Sequence, residues 1–370
     1  NTLSEKYYRV DVKQPESGRK VYDTRQTSLS GNVDADFVNI AYETTSSYAG
    51  GGAIYNGGTI GDITGNFINN YIQGAAWGHS GGAIFNSGTI GNITGDFVGN
   101  YTKGISVFGG AIYNSKTIGN ITGDFISNYA QSTSSSASGG AISNSHYMSI
   151  IGNITGNFIN NYVQGLSAEG GAIYNVTYTT IGNITGNFIG NNVKSDTELA
   201  TGGAIYAFYH STMGNITGDF IGNCASAQGI SSVAEGGAIS NVERSTIVSI
   251  TGDFIDNYAQ SQTSHAHGGA VYNQDNSTIK NILNSNFINN YVKGNEDSAG
   301  GAIWSDSTIL ITADNGTSLF SGNKANDKSN AIYMSRANLN LSAVNKGTIT
   351  FDDGIDGENY NINVTGDGSG

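Results

Sequence analysis

Residues 51–71 read GGAIYNGGTIGDITGNFINNY, and residues 81–101 read GGAIFNSGTIGNITGDFVGNY. The same phrase returns along most of the chain. Gly-Gly-Ala-Ile begins at Gly51, Gly81, Gly109, Gly139, Gly170, Gly202, Gly236 and Gly300, with a Val-ending copy at Gly268 and a weaker echo from Asn330. Successive copies are spaced 30, 28, 30, 31, 32, 34, 32 and 32 residues apart. A second motif, Phe-x-x-Asn, starts at Phe67, Phe97, Phe125, Phe158, Phe188, Phe220, Phe254, Phe287 and Phe320, and Phe37 opens an imperfect first copy. Self-similarity at such a period is the signature of a repeat architecture.

Each repeat reads as three short strands, AIYN, TIGNITG and DFIGNY in type, rich in Ile, Phe, Tyr and Thr and broken by Gly and Asn. Nothing shows a ten-residue apolar stripe at helical spacing. One repeat has too few apolar residues to bury by itself, but stacked coils bury Ile on Ile and Phe on Phe at about 4.8 Å per coil. The fold class is therefore all-β, a parallel β-helix or β-solenoid of about ten coils of roughly 30 residues, forming a rod about 50 Å long.

Composition agrees. The chain has 370 residues, 54 of them Gly and 1 Pro, and its charged fraction is 12%, about half the usual value. With 21 Tyr it lacks the charge-rich, aromatic-poor signature of disorder. The formal net charge is -13 and no basic cluster is present, so nucleic acid is not an expected partner. The single Cys224 excludes a disulfide framework and reads as an inert small hydrophobe. No long apolar run would insert this segment in a membrane, and NTLSEKYYRV does not read as a signal peptide.

Three segments follow. Residues 1–30 hold Pro15 and six of the 16 Lys and Arg, and read as an N-terminal cap over an open sheet edge. Residues 31–305 are regular β-helix repeats. Residues 306–370 are less regular coils whose final TGDGSG reads as a truncation.

Comparing copies orients the side chains. The Ile54 slot holds Ile or Val throughout, whereas the Tyr55 slot accepts Phe85, Tyr113, Ser143, Tyr174, Tyr206, Ser240, Tyr272 and Trp304. Alternation then predicts Ile54 and Gly52 inward, Ala53 and Tyr55 outward. Asn56, Asn86, Asn114, Asn144, Asn175, Asn241 and Asn273 recur at one corner and Asn70, Asn100, Asn128 and Asn161 at another, where amides can bond from coil to coil as structural ladders. Insertions collect after the Tyr71 slot (IQGAAWGHS, TKGISVF, AQSTSSSAS) and after the Asn144 slot (SHYMSI, VTYTT, VERS). The outward aromatics Tyr55, Phe85, Tyr113, Tyr174, Tyr206, Tyr272 and Trp304, with Trp77 in a Gly-rich loop, are the candidate binding residues. The competing reading is that the rings stack to support the sheet.

Catalytic and metal readings are weaker. Asp96 and Asp124, like Asp219 and Asp253, share a slot in adjacent coils, as a retaining carboxylate pair would. Asn66, Asn157, Asn187 and Asn286 fill that slot too, which marks a polar turn. Of the histidines, His79, His146, His210, His265 and His267 all fall in insertions. His265 and His267 are two apart, but no third ligand adjoins them. No catalytic residue, metal or cofactor is therefore expected. The NIT tripeptides at Asn92, Asn120, Asn153, Asn183 and Asn215 match a glycosylation sequon and read more simply as one repeated strand.

Repeated Gly-Gly-Ala-Ile with Phe-x-x-Asn, over roughly Leu29–Gly357, resembles the passenger region of the chlamydial polymorphic membrane proteins. GTITFDDGIDG is similar to late coils of autotransporter passengers. The resemblance implies a secreted right-handed β-helix, held at the bacterial outer membrane by a β-barrel outside this chain, and serving adhesion. The expected function is thus a non-enzymatic, surface-exposed adhesin or self-association module. Its expected partners are a host-cell or bacterial surface protein, a glycan, or a second copy of itself. A β-helix polysaccharide lyase or glycoside hydrolase and a structural extracellular filament are the alternatives.

Overall fold

In the computed structural model the described residues are 22–23 and 31–367. They form a β-solenoid of about 10 coils roughly 31 residues apart, with no helix among them. The expected cap over 1–30 lies almost wholly outside the described residues.

A coil visits five sheets, best followed from Ile54. Sheet A holds Ile54–Asn56, sheet B Thr59–Ile60 and Ile63–Thr64, sheet C Phe67–Ile68, sheet D Tyr71–Gln73 and sheet E Trp77–Ser80. Each strand pairs in parallel with its copy one coil on, as Ile54 with Ile84 and Phe67 with Phe97. Among the described residues the exception is the antiparallel pair of Lys324–Ala325 with Lys328–Ser329. The three strands read from sequence are thus more finely divided. Asn70 turns the chain between sheets C and D, and Gly61-Asp62 breaks sheet B.

Sheet E is a second difference. The segments after Tyr71 and its equivalents, read as loops, pair as a seven-stranded sheet from Trp77–Ser80 to Ala266–His267. Short Ala and Val residues explain this. Sheets D and E pack through Ala130, Ala137, Val163, Ala168, Val193, Ala200, Ala234 and Ala266, a thin second core. The coil is consequently L-shaped, with a broad core and a narrow arm.

The broad core is built on one Phe column and three Ile columns. Phe37, Phe67, Phe97, Phe125, Phe158, Phe188, Phe220, Phe254, Phe287 and Phe320 stack face to face, with neighbouring ring centroids 4.6–4.9 Å apart. Ile54, Ile60 and Ile63 and their copies fill the other sides. Ala53 corrects the alternation argument: it is fully buried in this core, not outward. The Gly51-Gly52 bend precedes it, so the two-residue period starts only at Ile54.

That bend explains the repeated glycine pair. Gly81 has a φ of +66° and a Cβ there would lie 2.0 Å from the Ile84 carbonyl; a Cβ on Gly82 would lie 2.2 Å from the Gly110 carbonyl. No other residue fits both positions.

Polar corners are satisfied by amide ladders. Asn56 Nδ2 donates to Asn86 Oδ1 at 2.7 Å, and Asn86, Asn114 and Asn144 each donate to the next amide at 2.8 Å, ending on Asn175. Ala207 interrupts this ladder, which resumes from Asn241 to Asn273 at 2.8 Å. The second ladder is continuous: Asn70, Asn100, Asn128, Asn161, Asn191, Asn223, Asn257, Asn290 and Asn323 donate in turn over 2.9–3.0 Å, and Asn323 closes on Asp353 at 2.8 Å. Beyond Trp304 the coil continues with longer sheet B strands, Ile309–Asp314 and Asn338–Val344, while sheet E ends.

Candidate functional site

The inner angle of the L is lined by two rows. Sheet A contributes Tyr55, Phe85, Tyr113, Ser143, Tyr174, Tyr206, Ser240, Tyr272, Trp304 and Tyr333. Sheet E contributes Ser80, Phe108, Ser138, Glu169, Thr201, Glu235 and His267. The sheet A row was expected to stand free. Instead Tyr206, Tyr272, Ser143 and Ser240 are buried, and Tyr55, Phe85, Tyr113, Tyr174 and Trp304 are partly buried. Sheet E folds back over them, so tolerance of both Ser and Trp reflects room within the angle, not solvent. The rings also stack on one another: Tyr55 on Phe85 at 4.7 Å, Phe85 on Tyr113 at 5.0 Å, Tyr174 on Tyr206 at 5.7 Å and Tyr272 on Trp304 at 4.8 Å.

Carboxylates are drawn into the angle. Glu169 accepts from Ser138 Oγ at 3.3 Å and interacts with the Tyr174 hydroxyl; burial pushes its carboxyl above the ordinary range. One coil pair further, burial pushes Glu235 up to about 7, with the Tyr272 hydroxyl acting in the opposite direction. Burial also holds the His267 imidazole down at about 4, although the Asp297 carbonyl favours its charged form.

Where sheet E ends, the angle opens into a cleft of about 700 Å³. Trp304 and Tyr333 stack at 6.4 Å along it, and Asp297, Asp356 and Glu358 line it with His267.

Trp77 lies in the first sheet E strand, not in a loop, and remains 51% exposed. The paired aspartates act on backbone. Asp96 Oδ1 accepts the Asp124 N–H at 2.9 Å and Asp219 Oδ1 accepts the Asp253 N–H at 2.9 Å, tying consecutive coils. The NIT asparagines do likewise, as Asn92 Oδ1 does for the Asn120 N–H at 2.9 Å. Cys224 is buried, and burial raises its thiol to about 12.

A cluster of exposed aromatics lies outside the Tyr55 slot. The turns between sheets A and B carry Tyr147, Met148, Tyr178 and Tyr209 in three consecutive coils, with exposures of 57%, 65%, 41% and 41%. Tyr147 and Tyr209 meet Tyr178 edge to face, each at 5.4 Å, and His210 stacks on Tyr178 at 4.7 Å. Backbone bonds hold these turns in register, Tyr178 N–H to the Tyr209 carbonyl at 3.0 Å among them. Thr177, Tyr178, Tyr209 and His210 have φ values of 69°, 60°, 50° and 59°. Consecutive left-handed residues make turns that favour Asn and Gly. The same turn two coils on uses Asp275-Asn276, which meets that preference. The available signal in sequence was that three successive insertions, SHYMSI, VTYTT and FYHST, each carry a Tyr.

Compared with known proteins, the chain matches no protein-family model, no curated protein and no solved structure.

Proposed function

We propose that the chain is a non-enzymatic binding rod displayed outside a bacterial cell, the passenger of an autotransporter-like protein, which adheres to a glycan or protein surface. The observation that supports this reading most is the Tyr147, Tyr178 and Tyr209 patch. Tyr178 and Tyr209 sit in exposed turns at left-handed φ, which costs an ordinary residue about 1–2 kcal/mol, whereas local rules are broken most readily where function requires it. Aromatic faces grouped on a weakly charged rod suit stacking on sugar rings or covering an apolar partner patch. Consecutive coils hold the three rings 5.4 Å apart, so one extended ligand meets more than one ring at once.

The test is adhesion of cells or beads displaying the rod to immobilised glycans and to host-cell monolayers. Tyr147→Ser, Tyr178→Ser and Tyr209→Ser combined are expected to reduce attachment at least tenfold with the melting temperature kept. Undiminished attachment by this folded variant would remove the patch from the proposal.

The cleft beside Trp304 supports a second reading, action on a glycan, because carboxylates and aromatic rings share it. Incubation with polysaccharides and measurement of new reducing ends or unsaturated products tests it; Asp297→Asn and Glu358→Gln are expected to abolish any such release.

A further inference from the structure

Glu235, His265 and His267 come together at the end of sheet E, although Glu235 lies a full coil earlier in sequence. Sheet E explains how. Ala234 pairs with Ala266 and Glu235 with His267 in parallel register, and both alanines face the arm core. Alternation then turns Glu235, His265 and His267 to the opposite face. One ligating atom from each side chain lies within 4.8 Å of the others. Two imidazoles two residues apart and one carboxylate across the ladder is a donor set that suits zinc and its neighbours among divalent transition ions. It has too few oxygens to suit calcium or magnesium.

The surroundings orient these donors. His267 Nε2 lies 3.0 Å from the Asp297 carbonyl oxygen. A carbonyl only accepts, so Nε2 carries the proton and Nδ1 keeps a free lone pair. An imidazole donating its second nitrogen to a backbone carbonyl is the usual outer support of a metal ligand. His265 Nδ1 lies 3.4 Å from Ser264 Oγ, which leaves its Nε2 available. The Tyr272 hydroxyl sits between Gln274 and the Glu235 carboxylate, while Tyr272 and Trp304 stack on His267 at 6.1 and 5.1 Å and fix its plane. Three protein ligands leave a fourth position of a tetrahedral ion, and His267 borders the cleft through which water would reach it.

We propose that Glu235, His265 and His267 form a binding site for one divalent transition-metal ion of the zinc class, clamped across two coils at the end of the arm. Tetrahedral donors with bonds of about 2.1 Å stand about 3.4 Å apart, so side-chain rotations that close the present separations, at most 4.8 Å, by up to about 1.4 Å complete the site. The proposal does not depend on the adhesive reading.

The experiment titrates the chelator-treated full chain with Zn²⁺ by calorimetry and follows Co²⁺ by visible absorption. One Zn²⁺ per chain is expected, with a Kd of about 1 µM or tighter, together with the intense visible bands of tetrahedral Co²⁺ and no heat from Ca²⁺. Glu235→Gln is expected to weaken binding at least tenfold, and His265→Ala with His267→Ala to abolish it. His265→Gln serves if the double variant loses its circular dichroism. Unchanged Zn²⁺ binding by a folded double variant would assign the ion to His79, His146 or His210 and overturn the site. So would wild-type binding weaker than about 0.1 mM, or an octahedral Co²⁺ spectrum without tetrahedral bands.

Discussion

Ala207 stands directly before Asn241 in the parallel ladder of sheet A, and Asn241 Oδ1 is buried without a hydrogen bond as a result. In the intact ladder each amide nitrogen donates to the oxygen one coil on. Ala207 has no amide to offer, so Asn175 Nδ2 keeps only its bond to the Thr212 carbonyl at 3.2 Å, the counterpart of the bond that Asn144 makes to the Thr180 carbonyl beside its amide bond. An unpaired buried acceptor costs about 1–3 kcal/mol. Ala207→Asn is therefore expected to raise stability by about 1 kcal/mol in denaturant melts. A loss of stability would show that the methyl has let the corner close.

The converse change is Asn144→Leu. It removes a donor to Asn175 and an acceptor for Asn114 in a fully buried corner. The expected loss is about 1–3 kcal/mol, since buried bonds to Asn114, Asn175 and Ser149 are lost at once while Asn114 still donates to the Ile150 carbonyl and Asn175 still accepts from Thr179. A change under about 0.5 kcal/mol, the range of ordinary surface sites, would mean the amides are hydrated.

Phe158→Asp places a charge between Phe125 and Phe188, whose centroids lie 4.9 and 4.8 Å away. No partner for a charge exists in that column, so the surrounding coils should unfold. Phe158→Ala is the milder control, expected to cost about 3–5 kcal/mol. Hydrogen exchange at Phe125 and Phe188 reads how far each lesion spreads.

Glu169 predicts a pH effect. Its folded pKa is raised, mainly by burial. Below the ordinary carboxylate pKa it is protonated folded and unfolded, and contributes no penalty. As pH rises, the unfolded chain ionises first, so stability falls until the folded pKa is passed. Wild type should thus lose melting temperature relative to Glu169→Gln on going from about pH 4 upward. Parallel pH profiles would show that Glu169 is solvated. Tyr174→Ser, which removes a hydroxyl beside Glu169, should steepen the wild-type profile.

Tyr178→Asn and Tyr209→Asn separate stability from binding. Asn tolerates left-handed φ, so each is expected to stabilise by about 0.5–1 kcal/mol after the lost ring contacts are counted. Attachment should fall in the same variants. A stabilised variant that still adheres would detach the strained turns from the proposed function.

The repeat alone determined the solenoid. A thirty-residue unit with one Phe, a few Ile and two recurring Asn has no route to a core except by stacking like on like, so the Phe column and both amide corners were legible without coordinates. Neither the second core nor the covered aromatic row was. The Tyr71-side insertions differ in length and hold mainly Ala, Val, Ser and Gly, and their strand character comes from the neighbouring coil, which supplies both the hydrogen bonds and the facing Ala. Once sheet E forms, Tyr206 and Tyr272 pass from surface to interior, and local alternation carries no trace of that covering. The same stacking sets Glu235 beside His267: residues one full coil apart along the chain become neighbours about 4.8 Å apart, and only that register brings the three donors together.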